Sequence, residues 1–230
     1  MIPRIEIIGV TGLPEIVPGN LLGEMIVKAA ESQGTPLFDG DALVVTQKIV
    51  SKAEGRVVDL RSVEPSEYAW QLAKDSHKDA RLVELVLRES RAIVRMDLDR
   101  GIIITETKHG FVCANSGIDT SNVPGETMVA LLPKDPDASA RRIRDEIRKA
   151  SGGITVAIII SDTFGRAWRE GHANFAIGVA GINPLKDYKG TPDANGYILK
   201  VTNIAVADEL ASAAELAMAK AISVPVAIVR

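Results

Sequence analysis

Apolar positions recur along this chain with two different periods, and the alternation between them outlines a succession of strands and helices. Residues 4–10 (RIEIIGV) alternate and are rich in β-branched side chains, which predicts a strand running into a turn at Thr11-Gly12-Leu13-Pro14. In residues 21–33 (LLGEMIVKAAESQ), Leu21, Leu22, Met25, Ile26 and Ala29 return at helical spacing until Gly34, with Asn20 placed to cap the helix. Residues 42–50 (ALVVTQKIV) follow the turn Phe38–Asp41 and read as a buried strand with a polar end. From Ser66 to Val94 the pattern is that of one long amphipathic helix, with Leu72, Leu82, Leu85 and Val86 on its apolar face.

Residues 101–105 (GIIIT) predict another strand, after which residues 106–126 form a long polar segment crowded with Asn, Asp, Gly, Ser and Thr. Long polar loops in compact domains often carry function. A Pro/Asp turn at 132–138 precedes an Arg-rich helix over 139–151, closed by Gly152-Gly153. The most strand-like run is ITVAIII, residues 154–160, which ends at Ser161-Asp162-Thr163-Phe164-Gly165-Arg166. Residues 174–182 and 197–205 predict two further strands, 205–221 a helix of small residues, and 224–230 a terminal strand. Several strands have only turns between them, so the pattern is α+β with mixed, largely antiparallel sheets and not a doubly wound sheet. No repeat, linker or low-complexity segment divides residues 1–230, which read as a single module with room for two interleaved subdomains. Neither G-x-G-x-x-G after the first strand nor G-x-x-x-x-G-K-[ST] occurs, so any nucleotide is held by other means.

Composition narrows the function classes. Nine aromatic residues in 230 and a net charge of −3 exclude a base-stacking platform or a basic nucleic-acid surface. The single cysteine, Cys113, allows no intramolecular disulfide and no cysteine-based zinc site; it reads as a small buried residue of a protein in a reducing compartment. With no signal-peptide pattern at the N-terminus and no run of about 18 apolar residues, a soluble cytoplasmic protein is expected. His77, His109 and His172 lack the H-E-x-x-H spacing of a zinc hydrolase, and His77 reads as solvated.

Three polar clusters sit where elements end: Thr46 to Arg56, Asn115 to Asn122, and Ser161 to Glu170. Each permits a plain and a chemical reading. Asp119 either makes an Asx-turn or ligates a metal, and Asp162 either caps a following element or does the same. Lys48 and Lys52 are solvated or neutralise phosphate as point charges; Arg166, Arg169 and Glu170 are a surface ion-pair group or bind carboxylate and phosphate. Together the clusters hold the equipment for metal-bound phosphate.

The combination of Gly40–Arg56, His109–Val123, Ser161–Arg166, Trp168–Gly171 and Ala176–Gly181 closely resembles the coenzyme F420-0:L-glutamate ligase (gamma-glutamyl ligase) family, along essentially the whole chain. The resemblance implies a GTP-dependent ligase that adds L-glutamate to F420-0, extends it through gamma-linked glutamates, and works as an intertwined homodimer with Mn2+ or Mg2+ and a monovalent cation such as K+. Carried over by motif, Gly12, Leu13, Pro14, Gln47, Lys48, Lys52 and Asn122 fall at guanine-nucleotide positions, and Asp119, Asp162 and Thr163 at metal positions. A further nucleotide segment corresponds to Met218, Ala219, Lys220 and Ala221, with Ala219 where many relatives carry Gly. Asp119, Asp162, Arg166 and Arg169 are the expected catalytic set, the arginines positioning substrate, and Glu170 could assist as a base. The same scaffold would also serve a ligase for a different phosphorylated acid, or a silent nucleotide- or metal-binding module. The chain ends without the C-terminal flavin-reductase-like domain of some bacterial relatives, which favours a single-module ligase.

Overall fold

The computed structural model describes residues 2–121, 123, 125–220 and 222–230. The central five-stranded sheet joins the two ends of the chain. Strand β1 (Ile7–Val10) pairs antiparallel with β12 (Val226–Val229), which pairs antiparallel with β2 (Ala42–Thr46). Next, β2 lies parallel to β8 (Ala157–Arg166), and β8 folds back antiparallel onto β9 (Arg169–Ala180) to complete the order β1-β12-β2-β8-β9.

Both faces of this sheet are covered, which is why its strands read as unbroken apolar runs and not as alternating ones. Leu43, Val45, Ile158, Ile160, Val226 and Ile228 join one core with helices α1 (Leu22–Ser32) and α5 (Pro136–Ala150). Val44, Ile159, Ala227 and Val229 point the other way, onto Ala207, Ala211, Ala214 and Met218 of helix α6 (Val206–Met218). The small residues of α6 recur at helical spacing, so the helix lies close against the strands.

A second region carries two smaller cores. Helices α3 (Glu67–Ser76) and α4 (Ala80–Glu89) pack on a three-stranded antiparallel sheet of β4 (Ser90–Asp97), β5 (Ile102–Thr107) and β6 (Val112–Ala114). Beside them β3 (Val57–Asp59) pairs with β7 (Met128–Ala130). The architecture is α+β with mostly antiparallel pairing, as the sequence pattern predicts. Among the described residues no helix is long and apolar enough to cross a membrane.

Several local expectations need correction. The apolar run 42–50 is not one strand: β2 stops at Thr46 and helix α2 (Gln47–Ala53) begins. Asn20 does not cap α1; its side chain accepts from the Val17 amide, and Leu21 holds the cap position without a side-chain bond. The long helix over 66–94 is two helices and a strand. His77 adopts a left-handed conformation (φ 54°), Asp79 caps α4 by accepting from the Arg81 amide, and β4 starts at Ser90. The polar stretch Lys74–Asp79 between apolar positions is the break. The polar segment 106–126 contains β6 and an Asp119–Ala130 bridge. Strand β8 does not end at Ile160 but runs on to Arg166, so Asp162 pairs with Phe175 and caps nothing. The predicted strand 197–205 is reduced to β11 (Asn203–Ile204), pairing with β10 (Lys186–Asp187), and leaves Val201 89% exposed.

Candidate active site

The candidate site follows from the one parallel pair in the main sheet. Adjacent parallel strands end at the same edge, and the crevice outside their carboxyl ends is the common place for a ligand. Thr46, the last residue of β2, is in register with Ser161 of β8. From that edge the chain leaves as α2 on one side and as the continuing hairpin on the other. A cavity of about 520 Å³ opens there.

Four distant segments converge on it. The loop after β1 supplies Leu13, Pro14 and Glu15; α2 supplies Gln47, Lys48 and Lys52; β8 supplies Ser161, Asp162 and Thr163; the end of α6 supplies Glu215, Met218, Ala219 and Lys220, with Asp119 closing the edge. Gly12 stands beside this lining at φ 76°, a left-handed conformation that lets the loop turn.

Lys48 projects from α2 to Asp119, 2.8 Å away, and donates to Ser121 Oγ at 3.1 Å. Asp119 makes the turn and also faces the cavity. Its Oδ1 accepts from the Ser121 amide and hydroxyl as an Asx-turn does, while Oδ2 faces Lys48. Burial opposes ionisation of this carboxyl, but the bonds from Lys48 and Ser121 outweigh it and hold the pKa below the usual range. Asp162 differs. Burial, with the Asp119 charge adding to it, pushes its carboxyl up to about 6 despite the Thr163 amide bonded to it. Lys52 is buried and pairs with Glu15 at 2.6 Å. Gln47, also buried, accepts from Ser51 Oγ.

The lining holds four carboxylates (Glu15, Asp119, Asp162, Glu215) against three ammonium groups (Lys48, Lys52, Lys220). A polyanion such as a nucleotide triphosphate therefore needs a further cation here. Among the described residues no three His, Cys, Asp or Glu side chains gather as a ready metal cage. The donor set is two carboxylates with Thr163 and the Ser161 hydroxyl, which is buried and has no hydrogen-bond partner among the described residues. That set fits a hard divalent cation sharing its shell with phosphate oxygens and water, the usual manner of Mg2+.

Other candidate residues lie elsewhere. Arg166 and Arg169 are exposed at the tip of the β8–β9 hairpin, outside the cavity, with Arg166 donating to the Glu170 and Gly171 carbonyls. Glu170 and His172 are exposed there too. His77 is exposed, and His109 stacks on Phe111 with Nε2 2.9 Å from the Pro133 carbonyl. Cys113 is buried, and burial pushes its thiol up to about 12, so it is no nucleophile at neutral pH. Asn122 and Ala221 fall outside the described residues.

Sequence reasoning did not single out Glu15, Asn174 or Glu215. Asn174 is paired in register with Thr163 across the hairpin, and the small-residue character of α6 masked Glu215 as one more solvated position. Ala219 shows a cost of this local design. It ends α6 at φ 38° and ψ 148°, a conformation nearly reserved for glycine, which stores on the order of 1–3 kcal/mol. Ala219→Gly is expected to stabilise the fold by about 1 kcal/mol and raise the melting temperature by about 2–4 °C, as read by thermal denaturation.

The family model described as F420-0:Gamma-glutamyl ligase matches residues 11–230. The chain is 46% identical over 227 residues to the "Coenzyme F420:L-glutamate ligase" of Methanothermobacter thermautotrophicus, covering 98% of this chain and 88% of that protein. It is 45% identical over 230 residues to the protein of the same name from Methanocaldococcus jannaschii, covering 99% and 88%. With the Methanopyrus kandleri protein of that name it shares 46% identity over 207 residues, covering 90% and 79%.

Proposed function

Because the chain belongs to the F420-0:gamma-glutamyl ligase family, we propose that it is a GTP-dependent ligase joining L-glutamate to the lactyl carboxylate of coenzyme F420-0, and extending the tail by gamma-linked glutamates. The observation that carries this reading is the convergence of Lys48, Lys52, Asp119, Asp162 and Thr163 on one cavity.

An amide forms from a carboxylate only after activation. A carboxylate oxygen of F420-0 attacks the γ-phosphorus of GTP, the bond to the β–γ bridging oxygen breaks, and GDP departs, leaving an acyl phosphate. The neutral amine of glutamate then attacks the acyl carbon, inorganic phosphate leaves, and the surplus amine proton passes to solvent. Lys48 and Lys52 hold the phosphate tail as point charges, and Leu13 and Pro14 also line the cavity. Asp119 and Asp162 are the residues that would hold a Mn2+ or Mg2+ ion, which when bound offsets phosphate charge and favours phosphoryl transfer. Alignment of the reactants in this cavity is worth several kcal/mol, up to roughly 7–11. Arg166 and Arg169, exposed on the hairpin, are not among the residues that line this cavity. The exposed Leu185, Tyr197, Ile198 and Val201 support a homodimer that covers them.

The test is incubation with GTP, Mn2+, F420-0 and L-glutamate, followed by product mass and phosphate release. Addition of glutamyl units with one phosphate released per amide supports the reading. GTP binding without product overturns it in favour of a binding module, and turnover with ATP but not GTP overturns the nucleotide assignment.

A further inference from the structure

Of the polar cluster that begins at Asn115, Asp119 lines the cavity, and Asn115 and Ser116 do not. These two residues nonetheless carry an unusual backbone. Both are left-handed, at φ 51° and φ 54°, and Gly117 continues the run at φ 69°. Glycine takes this conformation freely; asparagine tolerates it, and serine adopts it only at a cost. A strained run of this kind persists where its surroundings over-determine it.

The surroundings here belong to the second region. Ser116, 2% exposed, donates from Oγ to the Val86 carbonyl of α4 at 2.9 Å and from its amide to Thr105 Oγ1 of β5 at 3.1 Å, and the two hydroxyl oxygens stand 2.8 Å apart. Asn115 Oδ1 accepts from Lys78 Nζ at 3.2 Å, and Lys78 is half-buried between α3 and α4. The residues after the turn show what it aims. Ile118 packs on both small cores, and Asp119 exchanges two backbone hydrogen bonds with Ala130 of β7, at 3.0 and 2.8 Å. Ala130 fixes Asp119 itself, while the turn fixes the direction from which the chain reaches it. The carboxyl then meets Lys48 of α2 at 2.8 Å.

Resting on the metal reading of Asp119 above, we propose that Asn115, Ser116 and Lys78 are positioning residues of the site: their strained turn, tied to α4, β5 and the α3–α4 junction, holds Asp119 where its carboxylate receives the divalent ion of the nucleotide complex. None of the three touches metal or nucleotide, and each acts through Asp119. Relaxing the turn leaves the fold in place and loosens the ligand.

The experiment measures Mn2+ affinity by titration calorimetry at saturating non-hydrolysable GTP analogue, with a thermal melt of each nucleotide-free protein. Asn115→Gly frees the backbone and removes the bond from Lys78. It is expected to weaken Mn2+ binding by about 10–100-fold, the usual loss when the support of a metal ligand is removed, while its melting temperature stays within about 3 °C of wild type. Lys78→Met is expected to weaken binding in the same direction. Asn115→Asp keeps an acceptor for Lys78 and tolerates the left-handed conformation, so it is expected to bind Mn2+ as the wild-type chain does. Wild-type affinity in Asn115→Gly or Lys78→Met, or equal weakening in Asn115→Asp, overturns the inference while the metal reading stands. A melting temperature that falls along with affinity makes the turn a structural element alone and overturns it as well. Absence of nucleotide-dependent Mn2+ binding by the wild-type chain overturns the metal reading, and the inference falls with it.

Discussion

Asp162→Asn is expected to lower ligase turnover by about 10²–10³-fold while raising the melting temperature by a few degrees. The two directions have one cause. Asp162 is a carboxylate whose surroundings resist its charge: burial and the neighbouring Asp119 push its pKa up to about 6. Such a group costs stability in the absence of a cation and gives it back when a cation binds. An amide of the same shape removes the buried charge, keeps an oxygen to accept from the Thr163 amide, and forfeits the metal ligand. Loss of metal stabilisation of a phosphoryl transfer is worth several kcal/mol, and about 3–4 kcal/mol corresponds to the stated loss of rate. Turnover at saturating Mn2+ and a thermal melt read the two effects separately. Near-normal turnover would remove Asp162 from the metal site; a lower melting temperature would make it a structural acceptor.

Gly178→Ala is expected to destabilise the fold by about 3 kcal/mol, lowering the melting temperature by about 6–12 °C in thermal denaturation. Gly178 lies in β9 opposite Ile160, where the first turn of α5 meets the sheet. A Cβ there would stand 2.4 Å from the Pro136 carbonyl carbon and 2.5 Å from Pro136 Cβ. Neither is the yielding end of a flexible side chain. Asp135 caps α5 by accepting from the Ala138 amide, and Asp137 accepts from the Val179 amide, so the helix end is tied down beside the strand. Relief therefore requires moving α5 or β9, and β9 carries Asn174 into the site. An unchanged melt would mean that α5 shifts without cost.

Legibility varied with how local the deciding interactions were. The body of helix α5 was readable over 139–151 from its Arg-rich pattern and closing glycines, whereas Asp135-Pro136, which read as part of the preceding turn, cap and start the helix. The core strands were readable as buried from their apolar runs. The end of β2 was not, since the apolar run resumes at Ile49-Val50 after Thr46-Gln47-Lys48 and only its pairing with β8 and β12 stops at Thr46. The segment 197–205 failed in the opposite sense: its alternation promised a half-buried strand, and no sheet covers it. Of the candidate site, the lysines and aspartates could be named from motifs, but Glu15, Asn174 and Glu215 carry no local signature.

The sequence by itself determined the α+β class and the family, because periodicity and long ordered motifs are properties of the chain alone. Only the tertiary structure decided which of two readings each polar residue takes. Asp119 is both turn and cavity carboxylate because Lys48 of α2 reaches it, Asp162 is a strand residue because β9 pairs with it, and Lys220 meets Thr163 across 57 residues because α6 ends over β8. Charge and hydrogen-bonding act over a few ångströms of space, and the fold alone sets which residues are that close.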